Sequence, residues 1–191
     1  KICYYKSRNT VVAQTIVFIL LCFFIQERRK VMPEVGDIVL YRLVVSEFYG
    51  IEKEKKNSFC KIRSLEGDGC EFKVPYENVS IHMRTIPNKN ELEDLLNSLK
   101  EMHLYQITRT AVDKICRPVI NSFDMEEWMH LLLSLFADKK RAGREKRKFS
   151  QKEAMYYHIL LQRFISIFSY VLKKDNMQIE KMLLDKLEAA T

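Results

Sequence analysis

"KVPYENVSIHMRTIPNKNELEDLL", residues 73–96, is where the chain changes its period. Before it, short apolar runs rich in Val, Ile, Phe and Tyr recur, as strands require: "DIVLYRLVV" (37–45), "EFYGIEK" (47–53), "SFCKIRSL" (58–65) and "CEFKVP" (70–75). "KEKKN" (53–57) and "EGDG" (66–69) between them read as turns. After Pro87, Leu92, Leu95, Leu96 and Leu99 recur at helical spacing. Strands followed by helices imply an α+β chain with two small domains that meet near residues 85–90. The strand spacing predicts a small twisted sheet or an SH3/Tudor-like β-barrel, of which the barrel is the expected fold. About five helices follow, over 90–102, 104–116 (ended by Pro118), 124–143, 150–174 and 175–190. Asp124 caps the third, with Glu127 three residues on and Gly143 as its stop, and Ser150 with Glu153 forms a capping box for the fourth.

The net charge is +7, but residues 1–31 carry six bases and one acid, so the remainder is only +2. Basic character is therefore local. Its densest stretch is "KKRAGREKRKFSQKE" (139–153), with eight bases up to Lys152 and one acid, Glu145, before Glu153. The macrodipole accounts for Lys139 and Lys140 at a helix C-terminus. The five bases of 141–148 are left over. Their mutual repulsion opposes a compact turn unless solvent or a polyanion relieves it, which points to a phosphate contact. Residues 11–25, "VVAQTIVFILLCFFI", are apolar apart from Gln14 and Thr15. As a helix they would span about 22 Å, short of a bilayer core. They read as a short membrane anchor, as part of a signal peptide, or as sequence upstream of a start at Met32.

Other classes find little support. The five cysteines (3, 22, 60, 70, 116) have no C-x-x-C spacing and read as buried thiols of a reducing compartment. His82, His103, His130 and His158 fit no metal spacing. No P-loop, dinucleotide-binding or nucleophile-elbow motif is present, so neither an enzyme nor a cofactor is expected. Trp128, with Leu131, Leu132 and Leu135 at i+3, i+4 and i+7, reads as core. The aromatic run 155–170 reads as a buried or partner-facing helix, with Ile159, Phe164, Ile167, Phe168 and Val171 inward.

Three stretches together resemble the CarD-like transcription regulators. "VGDIVLY" (35–41) is similar to the family's opening V-G-D-x-V-V-Y. Residues 73–96 resemble the V-P-x-x-N element that leads through an Arg into the first helix. "DMEEWMHLLLSLFADKKRAG" (124–143) with "FSQKE" (149–153) resembles the third helix, its basic end and an L-S-x-G-E helix start. The resemblance implies a bacterial regulator with two modules. Residues 32–87 would be a Tudor-like module binding the RNA polymerase β subunit, and 88–191 a helical module holding promoter DNA and modulating open-complex stability. Residues 1–31 would be an extension. It implies a polymerase contact through Lys73, Lys55 and Lys53. It implies a DNA contact, mainly to phosphates, through Arg109, Lys114, Arg144, Lys146, Arg147, Lys148 and Lys152, with Arg117 on the same helix as Lys114. A monomeric protein of the cytoplasm and nucleoid is expected. The alternative is a membrane-tethered interaction module anchored by 11–25. The chain departs from the family in three ways. The usual basic residue just after L-S-x-G-E is Ala154 here, with Lys152 a near substitute. "RLVVSEFYG" lacks the usual H-G pair, and no Trp opens the second helix, where Tyr105 is the nearest aromatic.

Overall fold

The computed structural model describes residues 33–54, 57–67, 69–108, 110–122 and 124–191. The apolar run 11–25 and Met32 lie outside the described residues. Residues 33–191 group as one compact unit.

Five antiparallel strands form one sheet: β1 (Ile38–Tyr41), β2 (Val44–Glu54), β3 (Asn57–Ser64), β4 (Glu71–Pro75) and β5 (Met83–Thr85). Their order is β4-β3-β2-β1-β5. The sheet is open, which corrects the expected SH3/Tudor-like barrel. Closing it would require β4 to pair with β5, and neither does so. The seven residues between them are spent instead on a 3₁₀ turn, Tyr76–Asn78, and a single helical turn, Val79–His82. The edge strands also differ in length: β4 has five residues and β5 three, so the edges offer no matching ladder.

The run 37–45 is two strands, not one. The chain reverses at Arg42 and Leu43, with φ of 49° and 60°, and pairs Tyr41 with Val44. Two consecutive positive φ values are the hairpin geometry that Asn-Gly usually supplies. Here Leu43, 1% exposed, is buried in the core with Leu40 and Val45, and that burial offsets the backbone cost. β2 bulges between Phe48 and Gly50, where Gly50 takes φ 151°.

Five helices follow: α1 (Lys89–Asn97), α2 (Val112–Ser122), α3 (Met125–Arg144), α4 (Gln151–Leu172) and α5 (Asn176–Ala190). Asn88 and Glu91 form a capping box on α1, and Ser150 and Glu153 another on α4. Asp124 caps α3 by accepting from the amides of Glu126 and Glu127. Asp175 caps α5 through Met177 N. The helix expected over 104–116 is displaced. Residues 102–108 carry no helix, and α2 runs through Pro118 instead of ending there. Trp128 is 2% exposed and its Nε1 donates to Val119 O at 2.8 Å, tying α3 to α2.

The sheet uses both faces. Val39, Phe48, Cys60, Ile62, Val74, Val79 and Met83 are buried within the sheet and its following turn. Leu40, Leu43 and Val45 instead join one apolar cluster with all five helices. β2 packs against α4. Glu66, between β3 and β4, ties the two layers: it accepts from Val45 N (3.3 Å), Ser166 Oγ (2.7 Å) and Arg163 Nη1 (2.6 Å).

Candidate nucleic-acid interface

The basic stretch begins at the end of α3. Helix α3 stops in a Schellman arrangement: Lys146 N donates to Gly143 O (3.3 Å) and Arg147 N to Ala142 O (3.0 Å). The residue in the left-handed conformation is Lys146, φ 53°, and not Gly143, the stop expected from sequence. Arg144, Lys146 and Lys148 are exposed on this turn. Arg144 and Lys146 form no ion pair among the described residues.

The other bases of the run face inward or sideways. Lys139 lies over the Tyr157 ring, 4.6 Å from its centre. Lys140 pairs with Glu188 at 2.7 Å. Arg141 and Arg147 both pair with Asp138, which is only 4% exposed; the Arg147 Nη2–Asp138 Oδ2 distance is 2.5 Å. Arg147 also reaches Glu145 (3.7 Å) and Glu153 (4.0 Å), the latter 1% exposed. The repulsion expected among these bases is therefore relieved in part from within, by carboxylates. Burial alone pushes the Asp138 carboxyl up; the hydrogen bonds and charges of Arg147 and Arg141 outweigh it and hold Asp138 below the usual carboxylate range. Asp138 bonding likewise raises Arg147.

A second group of bases joins this turn in space. Lys152, in the first turn of α4, pairs with Asp113 at the start of α2. Tyr156 Oη donates to the same carboxylate at 3.0 Å. The Lys152 hydrogen bond is the main reason Asp113 sits below the usual carboxylate range, with Tyr156 adding to it. Arg117, one turn further along α2, approaches Tyr156 closely enough to lower its phenol, although burial and Asp113 raise it on balance. Lys114 and Arg117 are both exposed. The α2 start thus abuts the α4 start, directly after the 144–148 turn. Asp113 and Tyr156, which bring this about, carry no signal in sequence; only their contact reveals them. Arg109 lies outside the described residues.

The sheet positions for a protein partner are less united. Lys73 on β4 bridges Glu54 (2.8 Å) and Glu52 (3.0 Å), and these hydrogen bonds, Glu54 first, raise its pKa. Lys53 lies between those two glutamates on β2, so strand alternation sends it to the opposite face from Lys73. Lys55 lies outside the described residues. Beside Lys73, Tyr49 is flanked by Lys61 and Arg63, each 5.0 Å from its ring centre, and its hydroxyl donates to Glu71 at 3.0 Å.

Tyr105 packs against α3: its amide donates to Ser134 Oγ (2.9 Å) and its ring stacks on His130 at 4.7 Å. Ile159, expected inward, is exposed on α4. Cys60 and Cys116 are buried, burial pushing the Cys116 thiol up to about 12, whereas Cys70 is exposed. Among the described residues no group of three His, Cys, Asp or Glu side chains is placed to hold a metal ion. Nor is any helix among them long and apolar enough to cross a membrane. No protein-family model matches the chain, and no curated protein matches it in sequence.

Proposed function

We propose that this chain is a non-enzymatic transcription regulator of the CarD-like kind, holding promoter DNA through phosphates and RNA polymerase through its sheet. One observation carries the DNA half: bases distant in sequence, Lys114 and Arg117 on α2 with Arg144, Lys146 and Lys148 beyond α3, flank the junction that Asp113, Lys152 and Tyr156 make. Clustered cations release counterions from a phosphate backbone and position a protein without reading bases. Lys146 adds support. A left-handed C′ position favours glycine, so a lysine held there costs stability, and a surface that uses its charge gives a reason for that cost.

The polymerase half rests on the resemblance of 35–41 and 73–96, and on Lys73 with the Tyr49, Arg63 and Glu71 group as an exposed polar surface. The protein would act in the cytoplasm, at the nucleoid, as a monomer. The test is co-precipitation with the polymerase β subunit, together with a promoter footprint in the presence of polymerase. Retention of β and an extended upstream footprint support the proposal. A folded protein that retains no β at low salt removes the polymerase contact, and an unchanged footprint removes the promoter contact.

A further inference from the structure

Not every arginine in the 139–152 run faces the same way. Arg147 is the residue after the left-handed Lys146, and its amide closes the Schellman motif on Ala142 O. Its side chain is 25% exposed and turns back beneath the turn. There it meets Asp138 from α3 at 2.5 Å and Glu153 from α4 at 4.0 Å. Both acids are nearly inaccessible, 4% and 1% exposed. Beside these ion pairs, a hydrogen bond runs from Arg147 Nη2 to the Asp138 backbone carbonyl, 3.4 Å. Glu153 is occupied on its other side, its Oε2 accepting from Ser150 N at 2.6 Å as half of the α4 capping box. One guanidinium therefore neutralises acids from two helices and grips the chain between them. Arg141 shares only Asp138, and from a more exposed position. Buried carboxylates without a cation are strongly unfavourable, so withdrawing Arg147 to reach a phosphate would expose that cost.

We propose that Arg147 is a positioning residue: by clamping Asp138 and Glu153 it sets the shape of the 144–148 turn, so that Arg144, Lys146 and Lys148 face a phosphate backbone that Arg147 itself does not touch. This rests on the phosphate-binding reading above, and it divides the basic run into ligands and a scaffold. It also explains why four bases can crowd residues 144–148: one of them is neutralised from below.

The test uses the full chain and a labelled mixed-sequence DNA duplex. Affinity is measured as a function of salt, and amide hydrogen exchange is followed for the peptide spanning 142–150. Arg147→Gln should accelerate exchange of that peptide and weaken duplex affinity about tenfold, while the slope of log affinity against log salt stays at the wild-type value. Arg147→Lys, which keeps charge but loses the planar fork, should also accelerate exchange with the slope retained. Should Arg147→Gln not fold, Asp138→Asn/Arg147→Gln removes one buried charge along with its partner. It should recover most of the protection and keep the slope. A slope that falls by about 0.9 in Arg147→Gln or the double variant, with 142–150 still protected, would show Arg147 on phosphate and overturn the proposal. If the wild-type protein binds no duplex, the phosphate reading fails, and the exchange measurement alone decides the clamp: unchanged protection in Arg147→Gln and Arg147→Lys refutes it.

Discussion

Single residues carry the less expected features of this fold. Lys146 occupies a backbone conformation that costs an L-residue about 1–2 kcal/mol relative to glycine. Lys146→Gly should therefore raise stability by about 1 kcal/mol in chemical denaturation while weakening duplex affinity, a loss of function that accompanies a gain in stability. Leu43 presents the opposite case, a strained turn residue held by burial. Leu43→Ala should cost about 2–5 kcal/mol, and a smaller cost would mean the hairpin does not depend on that burial. Asp138 makes a prediction in pH. Its folded pKa lies below its unfolded one, so its contribution is fully present above the unfolded value, about 3.9, and is lost as pH falls through the folded value. Stability of the wild-type protein, followed by denaturation from pH 5 downward, should fall more steeply than that of Asp138→Asn. Equal slopes would mean the two arginines do not hold the carboxylate. None of these three residues announces itself in sequence: Arg42-Leu43 contains no turn former, and Asp138 looks like one more solvated helix acid.

At the scale of elements, what could be read in advance followed local chemistry. Asp124 and Ser150 with Glu153 satisfy amide donors within three residues of themselves, so the starts of α3 and α4 were visible from sequence. Ser150→Ala should cost about 1 kcal/mol and should speed hydrogen exchange in the first turn of α4, where Lys152 is held. What could not be read depended on partners elsewhere. β5 is three residues long and exists because Val39, Leu40 and Tyr41 pair with it. Helix α2 tolerates Pro118, whose ring removes a backbone donor, because Val112, Cys116 and Val119 are buried on its inner face. The barrel expected from strand spacing failed for a similar reason. Spacing describes hairpins, while closure depends on whether the two edge strands meet, and here a 3₁₀ turn and a helical turn intervene.

At the scale of the molecule, sheet and helices share Leu40, Leu43 and Val45 and are joined by Glu66 to Arg163 and Ser166. Unfolding of residues 33–191 should accordingly be one transition, with Trp128 fluorescence and the strand signal coincident; Glu66→Ala should lower its midpoint without splitting it. The candidate interface is also a property of the whole. The run 139–152 was legible as charge, but which of its bases face outward was not, since that depends on Asp138, Glu153, Glu188 and Tyr157. Nor could the sequence show that Lys114 and Arg117 lie beside it, because that depends on a pairing between residues 113 and 152. The central claim is that these outward bases bind phosphate, and the salt dependence of duplex binding by Arg144→Gln/Lys146→Gln/Lys148→Gln tests it most directly. The slope of log affinity against log salt should fall by about 2–3, at roughly 0.9 for each phosphate no longer neutralised, with stability unchanged. A slope equal to that of the wild-type protein would contradict the account and leave the turn as a solvated helix end.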